Sequence, residues 1–85
     1  MLSYLKGTPI EVTNNIPNRI ILILEVNHIG YEIQISSRFA RQLVQNKLEN
    51  IKVFTHLQIR DDSPILYGFT TVAERELFCH GGKTI

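Results

Sequence analysis

Two aspartates stand side by side at Asp61-Asp62, within the stretch R-D-D-S at residues 60–63. Before them runs Asn50-Ile51-Lys52-Val53-Phe54-Thr55-His56-Leu57-Gln58-Ile59, and after them Pro64-Ile65-Leu66-Tyr67-Gly68-Phe69. Paired carboxylates are residue types that general acid–base chemistry uses. Adjacent residues on a turn usually point apart, however, and no apolar enclosure in the sequence would shift one proton affinity against the other. A turn between two strands explains one aspartate, because its side chain satisfies turn backbone. The second repels the first and needs a further reason.

The remaining candidates for chemistry are thin. The histidines His28, His56 and His80 are scattered, and Cys79-His80 is adjacent rather than spaced as metal ligands are, so no metal site is expected. Gly82-Lys83-Thr84 echoes the end of a phosphate-binding loop, but the glycine the full motif needs at position 77 is Leu77. Ser3, Ser36, Ser37 and Ser63 lack a nucleophile-elbow context. No cofactor and no catalytic residue are expected. One alternating face, Lys52, Phe54, His56, Gln58 and Arg60, interleaves basic residues with an aromatic ring. Such a face can stack and neutralise a nucleic-acid strand. It can equally be a subunit contact or a solvated surface.

The elements that must position these residues are mostly strands. Leu2 to Val12 is rich in β-formers, with Gly7 and Pro9 as interruptions, and Asn14-Asn15-Ile16-Pro17-Asn18 reads as a turn cluster. Ile20 to Leu24 is apolar on both faces, which suggests that something beyond the barrel interior covers one of them. Asn27-His28 fits a tight hairpin, after which Tyr31, Ile33 and Ile35 alternate with Glu32 and Gln34. Ser36-Ser37 form an N-cap signal for a short helix that shows Phe39, Ala40, Leu43 and Val44 at helical spacing. Ile51, Val53, Thr55, Leu57 and Ile59 then form the inward row of a fourth strand, and Ile65, Tyr67 and Phe69 alternate in a fifth. Thr71-Val72-Ala73-Glu74 is a capping box opening a helix through Phe78, beyond which Cys79 to Ile85 shows no periodicity and reads as a tail.

Five strands with a helix between the third and fourth is the order of an OB-fold, a small Greek-key barrel. The expected class is therefore mainly β, with a barrel over residues 1–70 and a truncated helix plus tail over 71–85. At 85 residues and 44% apolar content, one modest core is affordable. A net charge of +1 restricts any nucleic-acid contact to local patches. The single cysteine rules out an internal disulfide and suits a reducing compartment. No signal peptide is evident at the N-terminus, and the longest apolar run is far short of a membrane span.

Several stretches together resemble the RuvA family of bacterial Holliday-junction-binding proteins. Met1-Leu2-Ser3-Tyr4-Leu5-Lys6-Gly7 is similar to the family opening M-I-x-x-L-x-G. Val26-Asn27-His28-Ile29-Gly30-Tyr31-Glu32 resembles V-N-G-V-G-Y-E, and Thr55 to Asp62 resembles T-H-L-x-V-R-E-D. Leu66-Tyr67-Gly68-Phe69 and Glu74-Arg75-Glu76-Leu77-Phe78 match L-Y-G-F and E-R-x-L-F. The likeness runs in order from residue 1 to 78.

The resemblance implies a domain of a DNA-recombination and repair protein of the bacterial cytoplasm, itself not an enzyme. In the family four subunits form a flat tetramer that holds a four-way junction open. The RuvB ATPase, which docks on a C-terminal domain outside these residues, drives branch migration. The family's acidic pin, an E-D pair at the junction centre, falls on Asp61 and Asp62. Lys52, Phe54, His56 and Arg60 remain candidates for DNA or subunit contact. The chain departs from the family at His28, where a turn glycine is usual, and after Phe78, where helix-hairpin-helix motifs would follow. Two other readings stay open: a standalone single-strand-binding OB module using Lys52, Phe54 and Arg60, and a pure oligomerisation module.

Overall fold

Alternating strands of this length must close on themselves or leave exposed edges, and here they close. The computed structural model describes residues 3–46 and 49–84. The order is β1 (Tyr4–Ile16), β2 (Arg19–Val26), β3 (Ile29–Ile35), α1 (Ser37–Asn46), β4 (Ile51–Arg60), β5 (Ser63–Phe69) and α2 (Val72–Thr84). The strands form a closed barrel in the order β1-β2-β3-β5-β4, the five-stranded arrangement expected of an OB-fold.

One strand serves two neighbours. Tyr4 to Gly7 of β1 pair with β4, and Thr8 onward pair with β2. Gly7 sits at the changeover, where a β-carbon would collide with the backbone carbonyl of Glu25. Register shifts between Pro9 and Glu11 and between Thr13 and Ile16 bend the strand further. Pairing persists to Ile16, so β1 runs through much of the expected turn cluster and the turn itself is Pro17-Asn18. Closure is completed where β3 meets β5 in parallel at Gln34 and Tyr67.

The core is built from Leu5, Leu22, Leu24, Ile33, Ile35, Ile51 and Val53 on the strands, with Phe39 and Leu43 from α1. Ser36 caps α1: its hydroxyl accepts from the Phe39 amide at 3.1 Å and its carbonyl from the Ala40 amide at 3.0 Å. On the doubly apolar β2, Leu22 and Leu24 point inward while Ile21 and Ile23 are half-buried opposite Gln34 and Glu32 of β3. Val44 departs from expectation. It is 70% exposed, because each residue turns the helix by about 100° and Val44 lies about 120° from the middle of the stripe set by Phe39 and Leu43.

The second helix also departs from expectation. The N-cap half of its capping box forms, with the Glu74 amide donating to the Thr71 hydroxyl at 3.1 Å, while the Glu74 carboxylate accepts from the Thr70 and Thr71 hydroxyls. The helix does not stop at Phe78 but continues to Thr84. Once the first turns are nucleated, each added residue gains a hydrogen bond, so two glycines at about 1 kcal/mol each slow propagation without ending it.

Gly68 shows what the barrel demands of its sequence. A β-carbon there would meet methyl groups of Ile33 and Val53 at 2.5 and 2.7 Å, inside the core. Gly30 would meet only Ile23, at 3.5 Å. Gly68→Ala is therefore expected to lower stability by about 1–3 kcal/mol, and Gly30→Ala to change it by no more than about 0.5 kcal/mol. Urea unfolding midpoints of the two variants test the contrast.

Candidate functional site

The β4–β5 hairpin pairs without a break from Phe54–Phe69 to Arg60–Ser63. That register leaves two residues, Asp61 and Asp62, to reverse the chain. Both adopt left-handed backbone, with φ of 49° and 65°, the signature of a type I′ turn. Such turns favour Asn-Gly or Asp-Gly, because a side chain at positive φ costs free energy that glycine avoids. Asp62 occupies the position where glycine would be best. Turn chemistry therefore accounts for Asp61 and works against Asp62.

The tip is exposed to solvent. Along the inward row of β4, Ile51, Val53 and Thr55 are 8%, 0% and 2% exposed, but Leu57 and Ile59 are 39% and 69% exposed. The alternation continues while the barrel beneath it ends, so the apolar row emerges onto an exposed flank shared with Pro64 opposite Ile59. Both aspartates are exposed. Among the described residues neither has an ion-pair partner, since the salt bridge found joins Arg75 to Glu76. Beside the tip a cleft of about 510 Å³ gathers Arg19 of β2 and Glu32 of β3 with Arg60 and Asp61.

The outer row of β4, which reads as one face in sequence, is divided in three. At its start Lys52 lies with Nζ 4.5 Å from the centroid of the Tyr4 ring and 5.8 Å from that of Phe54. In the middle, α2 covers His56: the Phe78 ring meets it edge-on at 5.9 Å, and the Cys79 sulfur lies 3.3 Å from Nδ1. Phe78 also packs on Tyr67 and Phe69, at 4.8 and 5.2 Å between centroids. Arg75 fastens the same helix to the residue ahead of β1 by donating to the Ser3 carbonyl at 2.7 Å. At the far end Arg60 sits beside the acidic turn. Phe54 and Arg60 are thus about 20 Å apart along the strand at ~3.3 Å per residue, with a docked helix between them. Tyr4 was not legible as a partner of Lys52, because the β1–β4 pairing joins residues distant in sequence. Among the described residues no group of histidine, cysteine and acidic side chains is arranged to hold a metal.

The model of the family described as the RuvA N terminal domain matches residues 1–68. The chain belongs to that family. Among curated relatives, the Holliday junction branch migration complex subunit RuvA of Rippkaea orientalis is 68% identical over 78 residues, which are 92% of this chain and 37% of the relative. The proteins of the same name from Crocosphaera subtropica and Synechocystis are 63% and 46% identical over equal spans. The chain therefore spans 37% of the length of these RuvA proteins. The family motifs noted in sequence acquire physical roles: the glycine of L-Y-G-F admits β5 to the core, and the arginine and phenylalanine of E-R-x-L-F dock α2. No described helix is long and apolar enough to cross a membrane.

Replacing Asp61→Asn together with Asp62→Gly supplies the preferred turn pair and removes two like charges. The double variant is expected to be more stable by about 0.5–1 kcal/mol, measured by denaturant unfolding. Equal or lower stability would mean that the aspartates serve the turn.

Proposed function

We propose that this chain is the N-terminal barrel of a Holliday-junction-recognition subunit and presents Asp61 and Asp62 as an acidic pin at the junction centre during branch migration. The observation that carries the reading is the turn itself: two exposed, unpaired carboxylates at the tip of the β4–β5 hairpin, in a backbone conformation that favours glycine. In the proposed homotetramer, four tips meet where the four DNA arms exchange strands. Phosphates approaching that point are repelled, while basic contacts further out hold the arms. Continuous duplex has phosphates at the centre and would be disfavoured, so the pin confers selectivity through repulsion.

The exposed Leu57 and Ile59 support the oligomeric part of this reading, because apolar side chains beside a solvated charged tip are stabilised by packing against another copy. The barrel acts without catalysis; in the complete complex the RuvB ATPase supplies the motor and reaches the assembly through the part of the RuvA relatives that lies beyond this domain.

The test places these residues as the N-terminal domain of a full-length relative and compares binding to a four-way junction with binding to linear duplex. Asp61→Asn with Asp62→Asn keeps the shape of the turn and removes its charge. The junction-over-duplex preference is expected to fall about ten-fold at matched salt, mainly through tighter duplex binding. Unchanged selectivity would overturn the assignment of the pin.

A further inference from the structure

At the other end of β4, β1 and β4 place four side chains in a compact block on the outer surface. In register, Tyr4 faces Phe54 and Lys6 faces Lys52. Tyr4, Lys6 and Lys52 are exposed and Phe54 is half-buried. The two rings lie 6.5 Å apart and tilted at 59°. Lysines directly opposite one another on a sheet repel and destabilise the pair. Among the described residues no carboxylate forms an ion pair with either of them. The Lys52 ammonium instead rests over the aromatic rings, which relieves part of the repulsion through a cation–π contact. An anion bridging both lysines would relieve it more fully and release the rings.

We infer that Tyr4, Lys6, Lys52 and Phe54 form a contact site for an unpaired nucleic-acid strand, with a base stacking on the aromatic pair and its phosphate bridging the lysine pair. The two rows are two residues apart along the strands, about 6.7 Å, within the reach from a base to its own phosphate. An acidic protein segment would satisfy the lysines but would leave two aromatic faces without a matching partner. The site lies about 20–26 Å along β4 from Arg60, at ~3.3 Å per residue. That exceeds the ~8 Å screening length at physiological salt, so the acidic turn does not oppose binding there. The inference does not rest on the role given to Asp61 and Asp62.

The experiment measures fluorescence anisotropy of a labelled oligothymidylate of about 12 nucleotides, titrated with the 85-residue chain across a salt series. Binding with a dissociation constant of about 10⁻⁴ M or tighter at low salt is expected. Lys6→Ala with Lys52→Ala should weaken it about ten-fold and reduce the salt slope by about 0.7, for the one phosphate the pair neutralises on a single strand. Tyr4→Ala, a surface change that leaves the core intact, should weaken it about five-fold or more through lost stacking. Asp61→Asn with Asp62→Asn should leave these effects in place, which separates this site from the proposed pin. Three outcomes overturn the inference: no binding, binding that neither variant weakens, or binding that depends on the lysines but not on Tyr4 and is competed equally by polyglutamate.

Discussion

The exposed acidic turn depends on the unbroken pairing of β4 with β5. Antiparallel strands joined by two residues must reverse through a primed turn, since only that backbone twist matches the twist of the strands. The ladder runs to Arg60–Ser63, so the two residues left over are forced into left-handed backbone. The same ladder outlasts the barrel. β4 gives its first inward side chains to the core and its last, Leu57 and Ile59, to the surface. A rigid projection with a charged tip and an apolar flank follows from strand length and register together.

The barrel keeps that projection aimed. Gly7 lets β1 pass from β4 to β2, Gly68 lets β5 approach Ile33 and Val53, and α1 fills one end with Phe39 and Leu43. From outside, α2 clamps the hairpin base through Phe78 on Tyr67, Phe69 and His56, and is itself held to the residue ahead of β1 by Arg75. The hairpin is therefore supported by core packing on one face and by an aromatic cluster on the other. Its free end carries charge that neither support neutralises.

Local chemistry made much of this legible in the sequence. Ser36, the Thr71–Glu74 N-cap, the Asn27-His28 turn and the alternation of β3 depend on neighbours a few residues away, and they appear where the residue types place them. Non-local geometry hid the rest. Alternation puts Leu57 and Ile59 in the same row as Val53, but says nothing about where the barrel stops. The outer row from Lys52 to Arg60 looks continuous until α2 lies across its middle. The union of Tyr4 and Lys6 with Lys52 and Phe54 depends on closure between the first and fourth strands. The end of α2 was misread because glycine weakens a helix by degrees, and the anchoring contacts of Arg75 and Phe78 precede it.

The central claim is positional: the tip of the β4–β5 hairpin meets the point where DNA strands exchange. A photoreactive group attached at position 62, in a full-length relative carrying this domain and bound to a four-way junction of defined sequence, tests it most directly. The account predicts adducts confined to the nucleotides flanking the crossover. Adducts spread along the arms, or none despite junction binding, would contradict it.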